Sequence, residues 1–169
     1  PKLRVLEICD FNTVGLAGPT RADLATQSDE SQNFVNFLRN VGASRDVHHG
    51  GGTYGYGKTS LYALSSCATI LTDSLTTWQG NIVRRVMGCH LGESFSAQDD
   101  TGTLRRFTGR HWWGGTLQDD ILEPAEGRHA EEVARAVGMP TRPTSSTGTT
   151  IMIVDPMFES DTEDDIADE

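Results

Sequence analysis

Apolar and polar positions alternate along residues 3 to 10, Leu-Arg-Val-Leu-Glu-Ile-Cys-Asp, which predicts a strand with Leu6, Ile8 and Asp10 on one face. Asn12, Thr13, Val14, Gly15 and Leu16 then form a turn-rich exit. The period changes at Phe34, Val35, Phe37 and Leu38, whose spacing predicts a helix over residues 31–41. Residues 60–66 carry helical spacing again, and Ala68 to Thr72 reads as a strand. Residues 82–87 and 104–114, separated by Gly and Asp-Asp-Thr-Gly turns, predict antiparallel strands. Ala130, Val133, Ala134 and Val137 mark the inner side of a helix over residues 129–139 that Gly138 ends. Beyond Pro140 and Pro143 a last strand spans residues 148–154, with Thr149, Ile151 and Ile153 on one face.

Residues 52–59, Gly-Thr-Tyr-Gly-Tyr-Gly-Lys-Thr, fit two phosphate-binding patterns. As G-x-x-x-x-G-K-[ST] they match a P-loop, which must follow a buried apolar strand. Residues 43–51 are polar and Gly-rich instead, so the P-loop NTPase is kept only as an alternative. As Gly-x-x-Gly-x-Gly opening a helix, the same residues form a lid of backbone amides at a helix start. Either way glycine lets N–H groups approach phosphate and the helix end favours negative charge, which predicts a bound nucleoside triphosphate. Asp10 and Thr149, polar residues at the ends of apolar strands, suit recognition of an adenine amino group, the acid directly and the threonine through water. Left without a partner, such groups would be costly to bury.

Three segments in one order, Asp10 to Leu16, Gly51 to Thr59 and Gly148-Thr149-x-Ile151, resemble the motifs of the GHKL ATPases, the gyrase, heat-shock chaperone, histidine kinase and MutL-type proteins. The glycine box is most similar to that of the ninety-kilodalton heat-shock chaperones and the MORC chromatin ATPases. The resemblance implies an α/β two-layer sandwich, a mixed sheet with helices on one face (the Bergerat-type ATP-binding fold), interrupted by an Arg/Trp-rich hairpin region. It implies ATP as ligand, with Asp10, Asn12, Gly15, Leu16 and Thr149 at the base. Gly51, Gly52, Tyr54, Gly55, Tyr56, Gly57, Lys58 and Thr59 would lie at the phosphates, and residues 17–50 would form the lid. Asn12 or Thr13 stands where the family often has its first glycine. The family places a water-activating Glu and a magnesium-holding Asn on a helix before the first strand. Here the strand begins at Leu3, so the Mg2+ ligand and the catalytic residues are expected outside this chain, which reads as a fragment. Glu7 is no substitute, because it lies on the face opposite Asp10. In the intact protein, lid closure on ATP would drive homodimerisation or movement of attached domains.

Charge changes this picture at one end only. The net charge is −10, but Asp155, Glu159, Asp161, Glu163, Asp164, Asp165, Asp168 and Glu169 account for most of it, leaving a nearly neutral body. Residues 1–156 are therefore read as one ATP-binding domain and 157–169 as an acidic linker or the start of a downstream segment. Cys9, Cys67 and Cys89 have neither metal-site spacing nor an even count. No signal peptide or long apolar stretch is present, so a cytoplasmic chain away from membranes is expected. Arg84, Arg85, Arg105, Arg106 and Arg110 beside Trp112 and Trp113 raise a second alternative, a non-enzymatic module binding a partner or nucleic acid. Glu93, Asp99 and Asp100 dilute that charge, and solvated arginines with packed tryptophans are the plainer reading. His48 and His49 read as exposed loop residues.

Overall fold

A computed structural model describes residues 2–24, 30–40, 56–119 and 121–158. The first and last strands foreseen from alternation form side by side. β1 (Val5–Cys9) pairs antiparallel with β10 (Gly148–Val154), placing Leu6 opposite Ile153 and Ile8 opposite Ile151. β10 pairs with β2 (Thr69–Trp78), β2 with β3 (Asn81–Leu91), and β3 with β6 (Arg110–Trp113), while β9 (Ala125–Glu126) joins β3. β4 (Phe95–Gln98) and β5 (Leu104–Phe107) form a separate hairpin, as do β7 (Leu117–Gln118) and β8 (Ile121–Leu122). The turn from β2 to β3 needs two residues with positive φ, supplied by Gln79 at 48° and Gly80 at 77°.

The chain is thus α/β in the coarse sense, rich in strand with few helices. Every pairing between described strands is antiparallel, where a mixed sheet was expected. Helices also cover both faces rather than one. Ile70, Met87, Cys89 and Ile153 pack with Phe34, Leu38 and Tyr62 on one side. Their strand neighbours Leu71, Val86 and Met152 pack with Ala130 and Ala134 on the other. Successive strand residues point to opposite faces, so the two clusters flank the sheet, and a three-layer arrangement replaces the two-layer sandwich. Amphipathicity told which side of each helix is buried, but not which face of the sheet it would cover.

On the first face lies α1 (Tyr56–Ala63), beginning earlier than the pattern over 60–66 suggested. Beside it, the helix expected over 31–41 is shorter and wider. A π-helical segment spans Val35–Arg39, closed by the Asn40 N–H on the Val35 carbonyl at 2.9 Å. Its apolar side is as expected, with Phe34, Val35 and Leu38 buried. The other face carries α2 (Gly127–Ala136). Gly138 takes φ 80° and the Met139 N–H returns to the Ala134 carbonyl at 2.9 Å, the left-handed exit foreseen at that glycine. Val137, expected inside, is 41% exposed, because the helix stops before it.

Arg84 and Arg85, grouped in the sequence with the surface arginines, are largely internal. Arg85 is buried, donating to the Gly18 carbonyl at 2.6 Å and to Glu126 at 2.9 Å. Arg84 forks onto the fully buried Asp73 on the α2 face. Trp112 packs on the first-face core and donates to the Leu38 carbonyl at 3.0 Å, with the Arg39 guanidinium 5.3 Å from its ring. Among the described residues no helix is long and apolar enough to cross a membrane.

Candidate functional site

β1 ends by delivering Asp10 to the first face, beside the start of β10. The Thr149 N–H donates to Asp10 Oδ1 at 2.6 Å, and the Asp10 N–H donates to the Thr149 carbonyl at 2.9 Å. The Thr13 hydroxyl also donates to Oδ1, at 2.9 Å. Asp10 and Thr149, far apart in sequence, therefore meet as expected; the acid is exposed and the threonine buried. Gly148 is held tightly between them, since a Cβ there would strike the Asp10 carboxylate and carbonyl.

The loop after Asp10 crosses the sheet on buried hydroxyls. Asn12 takes φ 58°, a left-handed backbone that asparagine tolerates at a position where the resembled family often has glycine. Its side chain accepts from the Ser146 hydroxyl at 3.4 Å. Gly15 follows with φ 63°, its α-carbon so near the sheet that a Cβ would lie 2.7 Å from the Leu75 carbonyl. The Leu16 N–H donates to Ser74 Oγ at 2.8 Å, and Ser74 Oγ lies 3.1 Å from Thr149 Oγ1. Thr76 donates to the Val14 carbonyl at 2.6 Å, and Thr147 to the Thr13 carbonyl at 2.6 Å. The Leu16 side chain itself belongs to the core, so only its backbone faces the site as expected, and that N–H is already engaged.

Ser74 and Thr76 escaped the sequence reading, which ended this strand at Thr72. Their signal was the alternation of Thr72, Ser74 and Thr76, three polar residues on one face of a strand whose interior is buried. Such a stripe requires partners from elsewhere in the chain, here the Met87 carbonyl for Thr72 and the backbone of the Asp10 loop for Ser74 and Thr76.

Of the glycine box, Gly51, Gly52, Tyr54 and Gly55 lie outside the described residues, as do His48 and His49. The backbone of Tyr56 opens α1, so Gly57, Lys58 and Thr59 stand in its first turn, the helix start anticipated for this motif. A Cβ at Gly57 would meet nothing within 4 Å among the described residues. Lys58 Nζ donates to the carbonyls of Asn36 at 2.5 Å and Asn40 at 3.4 Å, tying α1 to the π-helical segment. Below, burial pushes the Tyr62 phenol well above its ordinary range and raises the Cys89 thiol, so both stay neutral core groups. Burial likewise lowers Arg39, whose donors go to the carbonyls of Thr20 and Leu122.

Neither Glu7 nor Asp73 reaches this face. Glu7 stands opposite Met152 on the α2 side, and Asp73 is held there by Arg84. Among the described residues no three of His, Cys, Asp and Glu are grouped to hold a metal ion. In comparison with known proteins, no family model, curated protein or solved structure matches this chain.

Proposed function

We propose that this chain is an ATP-binding domain of the GHKL type, with adenine at Asp10 and Thr149 and phosphates at the start of α1. One observation carries the reading: the Asp10 loop, the helix opened by the glycine box and Thr149 all lie on one face of the sheet, around one core. Asp10 Oδ1 takes the Thr149 N–H and the Thr13 hydroxyl, while Oδ2 is the atom suited to accept an exocyclic amine. The P-loop alternative calls for a parallel βαβ unit. Antiparallel pairing of every described strand favours the lid reading over it, although the residues before Gly52 lie outside the described ones. A site of this kind takes magnesium with the triphosphate. ATP-driven dimerisation or movement of attached domains is part of the same proposal.

Isothermal titration with ATP tests it. Asp10→Asn places an amide donor against the adenine amine, and a charge-assisted bond is worth roughly 1.5–3 kcal/mol, so affinity should fall at least about tenfold. Gly57→Val should also weaken binding, and since a Cβ there meets nothing within 4 Å among the described residues, that loss would report the approach of phosphate. ATP binding that is equal in the parent chain and a folded Asp10→Asn variant would exclude Asp10 from the site.

A different observation favours a second reading, single-stranded nucleic acid on the β4–β5 hairpin. Phe107 stacks on Phe95 at 5.1 Å, and Phe95 on His111 at 5.7 Å, with both phenylalanines substantially exposed. Arg106 and Arg110 are exposed nearby in sequence, whereas Arg105 is committed to Asp99. If bases stack there, Phe95→Ala should weaken oligonucleotide binding by about 1–3 kcal/mol in fluorescence anisotropy, with affinity falling steeply in salt. Absence of binding at low salt would dismiss this reading and leave the ATP site untouched.

A further inference from the structure

Arg142 lies between α2 and β10 and is only 4% exposed. Its Nη2 donates to the buried Thr150 hydroxyl at 2.9 Å, on the α2 face, where Thr150 stands opposite Asp73. Its Nη1 reaches the end of β1 and donates to the Asp10 main-chain carbonyl at 2.7 Å. The guanidinium also lies over the Phe11 ring, 4.7 Å from its centroid.

That carbonyl is open to Arg142 because the β1–β10 ladder departs from its regular pattern there. Cys9 pairs with Thr150, so Asp10 and Thr149 come next in register. The Asp10 N–H donates to the Thr149 carbonyl at 2.9 Å, and an antiparallel pair bonded in this way ordinarily exchanges both of its N–H···O bonds. The return bond leaves the backbone. The Thr149 N–H donates to Asp10 Oδ1 at 2.6 Å, and the displaced Asp10 carbonyl is the one that Arg142 holds. Without that donor the carbonyl would draw the Thr149 N–H back into the regular ladder, since a partly buried acceptor is costly to leave unpaired. Gly148 makes room for the exchange. A Cβ on it would strike Asp10 Oδ1, the Asp10 carbonyl and Arg142 Nη1 together, so carboxylate and guanidinium stand side by side in the space that glycine leaves.

We propose that Arg142 is a positioning residue of the candidate site. By taking the Asp10 carbonyl it releases the Thr149 N–H to the carboxylate, which fixes Oδ1 and leaves Oδ2 for a ligand amine. The ligand half of this inference rests on the adenine reading, whereas the redirected Thr149 bond does not.

Two measurements on the whole chain separate these halves. Without nucleotide, NMR coupling across the hydrogen bond identifies the acceptor of the Thr149 amide. In the parent, and in Arg142→Lys, which keeps a charged donor, the amide should couple to the Asp10 side-chain carboxyl carbon. In Arg142→Met, which has no donor, the coupling should move to the Asp10 main-chain carbonyl carbon. Calorimetry then compares ATP with purine riboside triphosphate, which lacks the exocyclic amine. The parent should prefer ATP at least about tenfold. Arg142→Met should cut that preference at least about threefold, whereas a mere loss of stability weakens both ligands alike. Phe11 is half exposed, so Phe11→Leu loosens the guanidinium without opening the core and should shift both readings the same way, by less. A coupling on the main-chain carbonyl in the parent, or one that stays on the carboxyl in Arg142→Met and Phe11→Leu, would overturn the proposal. So would an intact preference for ATP in a variant whose coupling has moved. If the coupling moves as expected but the parent binds both triphosphates equally, the adenine reading fails and the hold of Arg142 on Asp10 stands.

Discussion

Arg84→Ala should destabilise the folded chain by about 3–5 kcal/mol, the cost of stranding a buried charge. Asp73 has no exposed surface, and both of its oxygens are taken by the Nε and Nη2 of Arg84 at 2.9 and 2.6 Å. Removal of the guanidinium leaves a carboxylate in the middle of β2 with no counter-charge and no water to replace it. The pairing also holds Arg84 protonated above its ordinary range, chiefly through the hydrogen bond to Asp73. A raised folded-state pKa gives stability that is fully present below the unfolded value and lost only as pH rises through the folded one. The arginine's contribution is therefore constant at neutral pH. Replacing both partners with apolar residues of similar shape, Asp73→Leu with Arg84→Met, should recover most of the loss, since an apolar pair bears no desolvation cost. Urea unfolding midpoints of the parent and the two variants measure this. A single variant as stable as the parent would mean that Asp73 is not sequestered in solution.

This pair shows where the sequence stopped being readable. β1 and β10 announced themselves because Leu6, Ile8, Ile151 and Ile153 recur every second residue and nothing polar interrupts their face before Asp10 and Thr149. In the second half of β2, Thr72, Asp73, Ser74 and Thr76 give no hydrophobic signal, although all four are buried. Their partners are distant: Arg84 across the hairpin, Leu16 and Val14 in the Asp10 loop. Local pattern cannot register a polar group satisfied from 58 residues away, the separation of Leu16 and Ser74. The candidate site was legible at Asp10 and Thr149, and illegible in β2, which supports the loop. Placement of α2 was illegible for another reason. Ala130 and Ala134 fix its inner side, but either face of the sheet offered apolar residues to receive it.

Gly15→Val should be the most damaging single change at the candidate site, for stability and for ligand binding together. At φ 63° a branched side chain is strained, at about 1–3 kcal/mol for such a backbone. Its Cβ would also lie 2.7 Å from the Leu75 carbonyl, 3.0 Å from Ser74 Oγ and 3.2 Å from the Gly148 carbonyl. Two of these are backbone atoms of residues paired in the β2–β10 ladder, so they cannot withdraw without breaking the sheet. Overpacking of that kind adds about 1–3 kcal/mol, and the loop escapes it by lifting away. Lifting breaks the Leu16–Ser74 and Thr76–Val14 bonds and pulls the Leu16 side chain from the core. Gly15→Ala keeps the clash but relieves the branching, so it should fall between Val and the parent. Urea midpoints should thus descend in the order Gly, Ala, Val, and ATP affinity of the folded variants should descend in the same order. If stability falls while ATP affinity is retained, the loop after Asp10 supports the sheet without forming the adenine site.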